Sequence, residues 1–232
     1  MGERFDIFFD LDHTLWDFEA NSREALADLF EAFDLRAAGI TDEAQFVADY
    51  EVHNAECWAL HRAGSMHRDV LRVERFSRTL RTFGIDDAVI AEQLATAYVD
   101  ISPSKTRLMP GSLEVLDYIQ TRGHRLHILT NGFREVQHRK LEGSGLRSYF
   151  DGVFTSEEIG VGKPHPEAFL RALAHVKAHP SSAWMIGDSL EADIHGAEQV
   201  GLTTVLYHPA DRPKPQAPHH TITHLLELKQ LL

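Results

Sequence analysis

The chain has 232 residues, enough for one large domain or one domain with a smaller one inserted, and 43% hydrophobic against 25% charged residues suits a globular core. A net charge of -12 repels polyanions overall, which argues against a nucleic acid polymer or an anionic membrane as partner but allows a small anionic substrate held by local cations. The one cysteine, Cys57, excludes an internal disulfide and reads as a small buried hydrophobe on a helix. With no signal-like opening and no apolar run near the roughly 20 residues that span a bilayer, the expected location is cytoplasmic.

The first predicted strand, Asp6–Phe9, delivers Asp10 and Asp12 at i, i+2, with Thr14 two positions on. On a buried strand that spacing points both carboxylates the same way at the strand's end. Acids held so close repel unless something relieves them. A shared proton is one solution, and a hard metal with oxygen ligands, suited to phosphoryl transfer, is the other. An ordinary acidic turn would also produce this pattern taken alone.

From 17 to 104 the sequence carries helices and no convincing strand. Asn21 or Ser22 can cap Arg23–Phe33, and Thr41 can cap a helix running towards Arg62. A third helix places Val73, Phe76, Leu80 and Phe83 on one face and stops at Gly84; a fourth runs from Ala88 to Val99. These four form an inserted all-α module, with Ser102–Pro110 as the return hinge.

Beyond it, strands are expected at Leu126–Leu129, Gly152–Phe154, Trp184–Ile186 and Thr203–Tyr207. They alternate with helices Ser112–Thr121, Phe133–Ser144, Pro166–His175 and Glu191–Val200. Alternation of this kind predicts an α/β fold with a parallel sheet covered on both faces. His208–His220 reads as a loop before a short helix, Ile222–Leu232.

Each strand end carries chemistry. Thr130-Asn131-Gly132 can cradle an anion, Lys163 sits between glycine and proline, and Asp188 adds an acid before Glu191 and Asp193. Singly, these are also a turn, a solvated lysine and a helix cap. Jointly they fall on the one edge of a parallel sheet where ligands bind, in the order phosphoryl chemistry needs.

The four segments resemble the motifs of the haloacid dehalogenase-like hydrolase superfamily: the DxDxT segment, the motif-II Thr, the motif-III Lys and GDSxxxxD. The resemblance covers about 1–16 and 105–232. It implies a Rossmann-like hydrolase core there and places the helical insert, 17–104, as a four-helix C1-type cap that closes over the site. The stretch from Phe8 to Ser22 looks most like the house-cleaning pyrimidine 5′-nucleotidases.

The resemblance implies an Mg²⁺-dependent phosphatase with Asp10 as nucleophile and Asp12 as acid/base. Mg²⁺ would rest on the carboxylates of Asp10 and Asp188 and the backbone carbonyl of Asp12. Thr130 and the amide of Asn131 would hold phosphoryl oxygens, and Lys163 would orient Asp10. Asp193 would act through Lys163 or a water at the metal. Members that cleave carbon–halogen bonds lack an acid two after the nucleophile, so Asp12 argues against a dehalogenase. His13 stands where many members have Gly. Trp58, His61, Arg62, His67, Arg68 and Arg75 are candidates to meet the leaving group.

The expected substrate is a small phosphate ester, with pyrimidine nucleoside monophosphates favoured. Phosphoglycolate or a sugar phosphate, a sugar-phosphate mutase, and a catalytically idle binding or regulatory protein are the alternatives.

Overall fold

The computed structural model describes residues 4–208 and 219–232. Most of the loop expected over His208–His220 lies outside the described residues. By its own internal contacts the chain divides into two units, Met1–Phe18 with Thr106–Leu232, and Glu19–Lys105.

After β1 (Asp6–Phe9) come four helices: α1 (Phe18–Ala32), α2 (Glu43–Arg62), α3 (Arg68–Thr82) and α4 (Ala88–Ile101). Their apolar positions meet in one core, with Leu26, Leu29 and Phe30 of α1, Phe46 and Tyr50 of α2, Phe76 and Leu80 of α3 and Leu94 of α4. Two helix starts differ from expectation. Asn21 and Ser22 do not cap α1 but lie buried inside it, where the Ser22 hydroxyl shares a 2.8 Å hydrogen bond with Tyr98. For α2 the cap is Asp42 rather than Thr41, its carboxylate accepting from the Gln45 amide. Cys57 is buried on α2.

Arg75 was a candidate for the leaving group, yet it is buried and occupied within this helical unit. Its guanidinium donates to Asn54 Oδ1 at 3.0 Å and lies 4.8 Å from the centroid of the Tyr98 ring. Such a cation, hydrogen-bonded and stacked on an aromatic face, serves packing.

The other unit continues with α5 (Ser112–Thr121), β2 (Arg125–Thr130), α6 (Arg134–Gly143), β3 (Gly152–Thr155), α7 (Ser156–Ile159), α8 (Pro166–Val176) and β4 (Ala183–Gly187). A π-helical turn (Leu190–His195), α9 (Gly196–Gln199), β5 (Thr203–Tyr207), β6 (His220–Ile222) and a 3₁₀ segment (Leu225–Gln230) complete it. The strands form one parallel sheet in the order β3-β2-β1-β4-β5-β6. Order and direction are those of a Rossmann-like α/β fold.

Alternation along the strands builds two cores. Ile7, Phe9, Leu126, Ile128, Ile186 and Val205 pack with Val115, Leu116 and Ile119 of α5. Phe8, Leu129, Phe154 and Met185 face the other way, against Ala168, Phe169 and Leu173 of α8. Burying a side chain of this size stabilises by about 1.5–3 kcal/mol, so strands covered on both faces are strongly held in register. Among the described residues no helix is long and apolar enough to cross a membrane.

Three elements depart from the sequence reading. β6 was not foreseen, because a three-residue strand with one fully buried side chain carries no alternation to detect. The C-terminal helix is only the 3₁₀ segment Leu225–Gln230, begun by a capping box between His224 and Glu227. Where one helix, Glu191–Val200, was expected, the chain makes a π turn before α9.

Candidate active site

Parallel strands bring the ends of β1, β2 and β4 to one edge of the sheet. The Asp10 amide donates to the Ile186 carbonyl at 2.9 Å, extending the β1–β4 ladder by one residue and setting Asp10 beside the end of β4. Asp10 is buried.

Lys163, also buried, reaches two carboxylates at once. Its ammonium lies 2.7 Å from Asp10 Oδ1 and 2.5 Å from Asp193 Oδ1. Oxygens of Asp10, Asp188 and Asp193 lie within 4.8 Å of one another. The Asp10 carboxyl is pushed up to about 7, chiefly by burial, with Asp193 and Asp12 raising it and Lys163 pulling it down. Burial also raises Asp188 well above the usual carboxylate range, with Asp193 and Asp10 adding to it. Burial disfavours the Lys163 ammonium, but Asp10 and Asp193 outweigh it and hold the lysine charged.

Asp193 lies within the π turn, where the Ile194 amide reaches the Ser189 carbonyl five residues back. The Asp193 amide bonds to the same carbonyl, and the Ser189 amide in turn donates to Asp193 Oδ2 at 3.0 Å. Widened turns of this kind recur at functional sites.

Thr130, the last residue of β2, has its Oγ1 accepting from the Gly132 amide at 3.2 Å and from Gln137 Nε2 at 3.1 Å. A hydroxyl that accepts twice keeps its own proton free to donate. The Asn131 side chain is spent on the lysine loop: Nδ2 donates to the Lys163 carbonyl at 2.7 Å and Oδ1 accepts from the Lys163 amide at 2.8 Å. It therefore fixes the backbone of Lys163.

Asp12 does not join the acid cluster. The two carboxylates were expected to point the same way, but β1 ends at Phe9, and the chain turns so that Asp12 bridges to Trp16. Asp12 Oδ1 accepts from Lys140 Nζ at 2.6 Å, and Oδ2 accepts from Gln137 Nε2 at 2.8 Å. Lys140 is buried, its ammonium 4.0 Å from the centroid of the Trp16 ring. His13, next in the chain, has a φ of +62°, the left-handed region that favours glycine and admits histidine more readily than most residues. Its ring packs 4.7 Å from that of Phe18.

Sequence reasoning missed Gln137 and Lys140, since a helix reading REVQHRKLEG looks like a solvated face. A signal was present in Gly132. A Cβ there would fall 1.6 Å from Gln137 Nε2, so the glycine makes room for that side chain. Gly187 does the same for Asp193, whose Oδ2 would lie 2.2 Å from an added Cβ.

The donor set fits a hard divalent cation. Three buried or half-buried carboxylates meet one ammonium, and two of them are pushed towards protonation by burial and by one another's charge. Asp10, Asp188 and Asp193 are the residues whose oxygens could hold such an ion.

Residues 7–201 match the family described as haloacid dehalogenase-like hydrolase. Among curated proteins the chain is similar to the pyrimidine 5′-nucleotidase YjjG of Escherichia coli (strain K12), at 32% identity over 97% of this chain and 96% of the relative. It is also similar to the ribulose-1,5-bisphosphate 5-phosphatase of Halopiger xanaduensis, at 34% identity over 88% of this chain and 85% of that one. Among solved structures, the magnesium-bound HAD-hydrolase YfnB of Bacillus subtilis matches with a TM-score of 0.88 at 30% identity, covering 99% of each chain. The protein belongs to the haloacid dehalogenase-like hydrolase family.

Proposed function

We propose that the protein is an Mg²⁺-dependent phosphomonoesterase working through an aspartyl-phosphate, acting as a 5′-nucleotidase on pyrimidine nucleoside monophosphates. The observation that carries the chemistry is the unlike setting of two carboxylates two positions apart. Asp10 is buried among acids and one ammonium, whereas Asp12 stands apart with its side chain 23% exposed. Environments that separate two acids divide their roles.

Asp10 attacks phosphorus, and the bond from phosphorus to the ester oxygen breaks. Asp12 gives its proton to that oxygen, releasing the alcohol. Asp12 then takes a proton from water, whose oxygen attacks the phosphorus of the aspartyl-phosphate, restoring Asp10 and releasing phosphate. Lys163 favours the ionised form of Asp10 and aims it, and Asp193 anchors Lys163. Thr130 donates its hydroxyl proton to a phosphoryl oxygen, with the Asn131 amide beside it. The carboxylates of Asp10 and Asp188 and the backbone carbonyl of Asp12 would hold Mg²⁺, which would supply positive charge against the phosphoryl oxygens.

The substrate assignment rests on the likeness to YjjG over nearly the whole of both chains. The ribulose-bisphosphate phosphatase, similar over less of its length, supports the second reading, a sugar phosphate. Rates on a panel of nucleoside monophosphates and sugar phosphates separate the two. Preference for dUMP, dTMP or UMP supports the first, and activity confined to sugar phosphates supports the second.

A further inference from the structure

We propose that Lys140 and Gln137 are positioning residues that orient the Asp12 carboxylate for proton transfer and tie it to Thr130. The inference rests on the phosphatase reading and names two residues that the family's motif segments do not include.

Three observations carry it. First, each Asp12 oxygen has its own donor from α6, Lys140 Nζ on Oδ1 at 2.6 Å and Gln137 Nε2 on Oδ2 at 2.8 Å. Two donors on two oxygens fix the carboxylate plane, and each oxygen keeps a further lone-pair site, free to carry the proton given to the leaving group or to accept one from water. Gln137 and Lys140 lie three apart on one helix, so both reach the same face.

Second, Gln137 Nε2 also lies 3.1 Å from Thr130 Oγ1. One amide nitrogen thus touches the acid/base and the phosphoryl-binding hydroxyl. Its orientation is not arbitrary, because a flipped amide would set oxygen against two oxygens. Gln137 Oε1, buried, has no partner among the described residues, so the side chain is held by what its nitrogen does. Gly132 is bare of a Cβ where this side chain passes.

Third, a buried ammonium is a costly way to fill space. Lys140 is 2% exposed and lies over the rings of Trp16 and Phe18, at 4.0 and 5.3 Å from their centroids. An apolar side chain of similar length would pack there without the desolvation cost. What only the lysine provides is the charged hydrogen bond to Asp12.

The test is a series of substituted phenyl phosphates whose leaving phenols range from weakly to strongly basic. Wild type, Lys140→Met, Lys140→Arg, Gln137→Leu and Asp12→Asn are measured in parallel, with thermal unfolding of each. Proton donation matters most for the basic leaving groups. Lys140→Met and Gln137→Leu are therefore expected to lose about 10- to 100-fold in kcat on phenyl phosphate and far less on 2,4-dinitrophenyl phosphate, with KM little changed. Lys140→Arg should recover part of the loss. Asp12→Asn should show the same leaving-group dependence, more steeply.

Loss equal across the series, or rates equal to wild type, in both Lys140→Met and Gln137→Leu overturns the inference while leaving the phosphatase reading intact. Gln137→Leu also decides the matter should Lys140→Met fail to fold. A flat response in Asp12→Asn removes the acid/base role of Asp12 and the inference with it. Absence of turnover in wild type contradicts the phosphatase reading itself.

Discussion

The ammonium of Lys163 lies 2.7 Å from Asp10 Oδ1, although the two residues are 153 positions apart in the chain. That contact joins the first strand of the sheet to a loop that follows α7, and the Asn131 side chain, clamped on the Lys163 backbone, sets its geometry. The same lysine is balanced between Asp10 and Asp193, so its loss leaves two buried acids facing each other.

Lys163→Met is therefore expected to lower stability as well as activity. Removing one partner of a buried ion pair costs about 3–5 kcal/mol, because the remaining charge is left without compensation. Urea unfolding checks this. A loss below about 1 kcal/mol would mean that Asp10 and Asp193 find other partners or shed their charge.

Magnesium should raise the unfolding temperature of the wild type, since it binds the folded site and not the unfolded chain. Asp188→Asn should abolish that rise, and EDTA should stop turnover. Equal stabilisation of the wild type and Asp188→Asn would exclude Asp188 as a ligand.

Gly132→Ala should disturb catalysis through Gln137. The added Cβ would fall 1.6, 2.4 and 2.7 Å from Nε2, Cδ and Cγ of the buried Gln137 side chain, which must swing away. Swinging away breaks its bonds to Asp12 and Thr130. We expect a loss of stability of about 1–3 kcal/mol, with kcat down about tenfold or more. Calorimetry and steady-state rates on one preparation decide it; a variant with full activity would show that Gln137 need not hold both residues.

At the opposite end of the sheet, buried His127 donates from Nε2 to Asp6 at 2.9 Å. Burial lowers its pKa, only partly opposed by Asp6. The folded protein thus binds this proton less readily than the unfolded chain, whose histidine titrates near about 6.5. The contribution to stability is complete above that value and declines as the pH falls towards the folded-state pKa. His127→Gln, which cannot titrate, should flatten the stability profile below about pH 6.5 by at most about 1.4 kcal/mol per pH unit. An unchanged slope would assign the pH dependence to other groups.

The strands that carry the site could be read from the chain because each is an apolar run ending in small or polar residues. Asp10, Thr130 and Asp188 follow directly from those ends, and Lys163 lies in the loop after α7. Gln137 and Lys140 could not be read that way. Their helix is mostly polar, and Lys140 is covered by Trp16 and Phe18, more than a hundred residues away in sequence. Nor could the split between Asp10 and Asp12. An i, i+2 pair points one way only while the strand continues, and β1 stops at Phe9. Asp193, expected to act on Lys163 or a metal-bound water, lies in a π turn that no local pattern announces.

The central claim is that Asp10 is the nucleophile of a magnesium-dependent phosphatase for pyrimidine nucleotides. Phosphate release from dUMP, dTMP, UMP, sugar phosphates and phosphoglycolate, with Mg²⁺, in wild type and Asp10→Asn, tests it most directly. The account predicts release chiefly from the pyrimidine nucleotides, falling by at least about 1,000-fold in a folded Asp10→Asn protein. Wild-type rates in Asp10→Asn, or no release from any ester by the wild type, would contradict it.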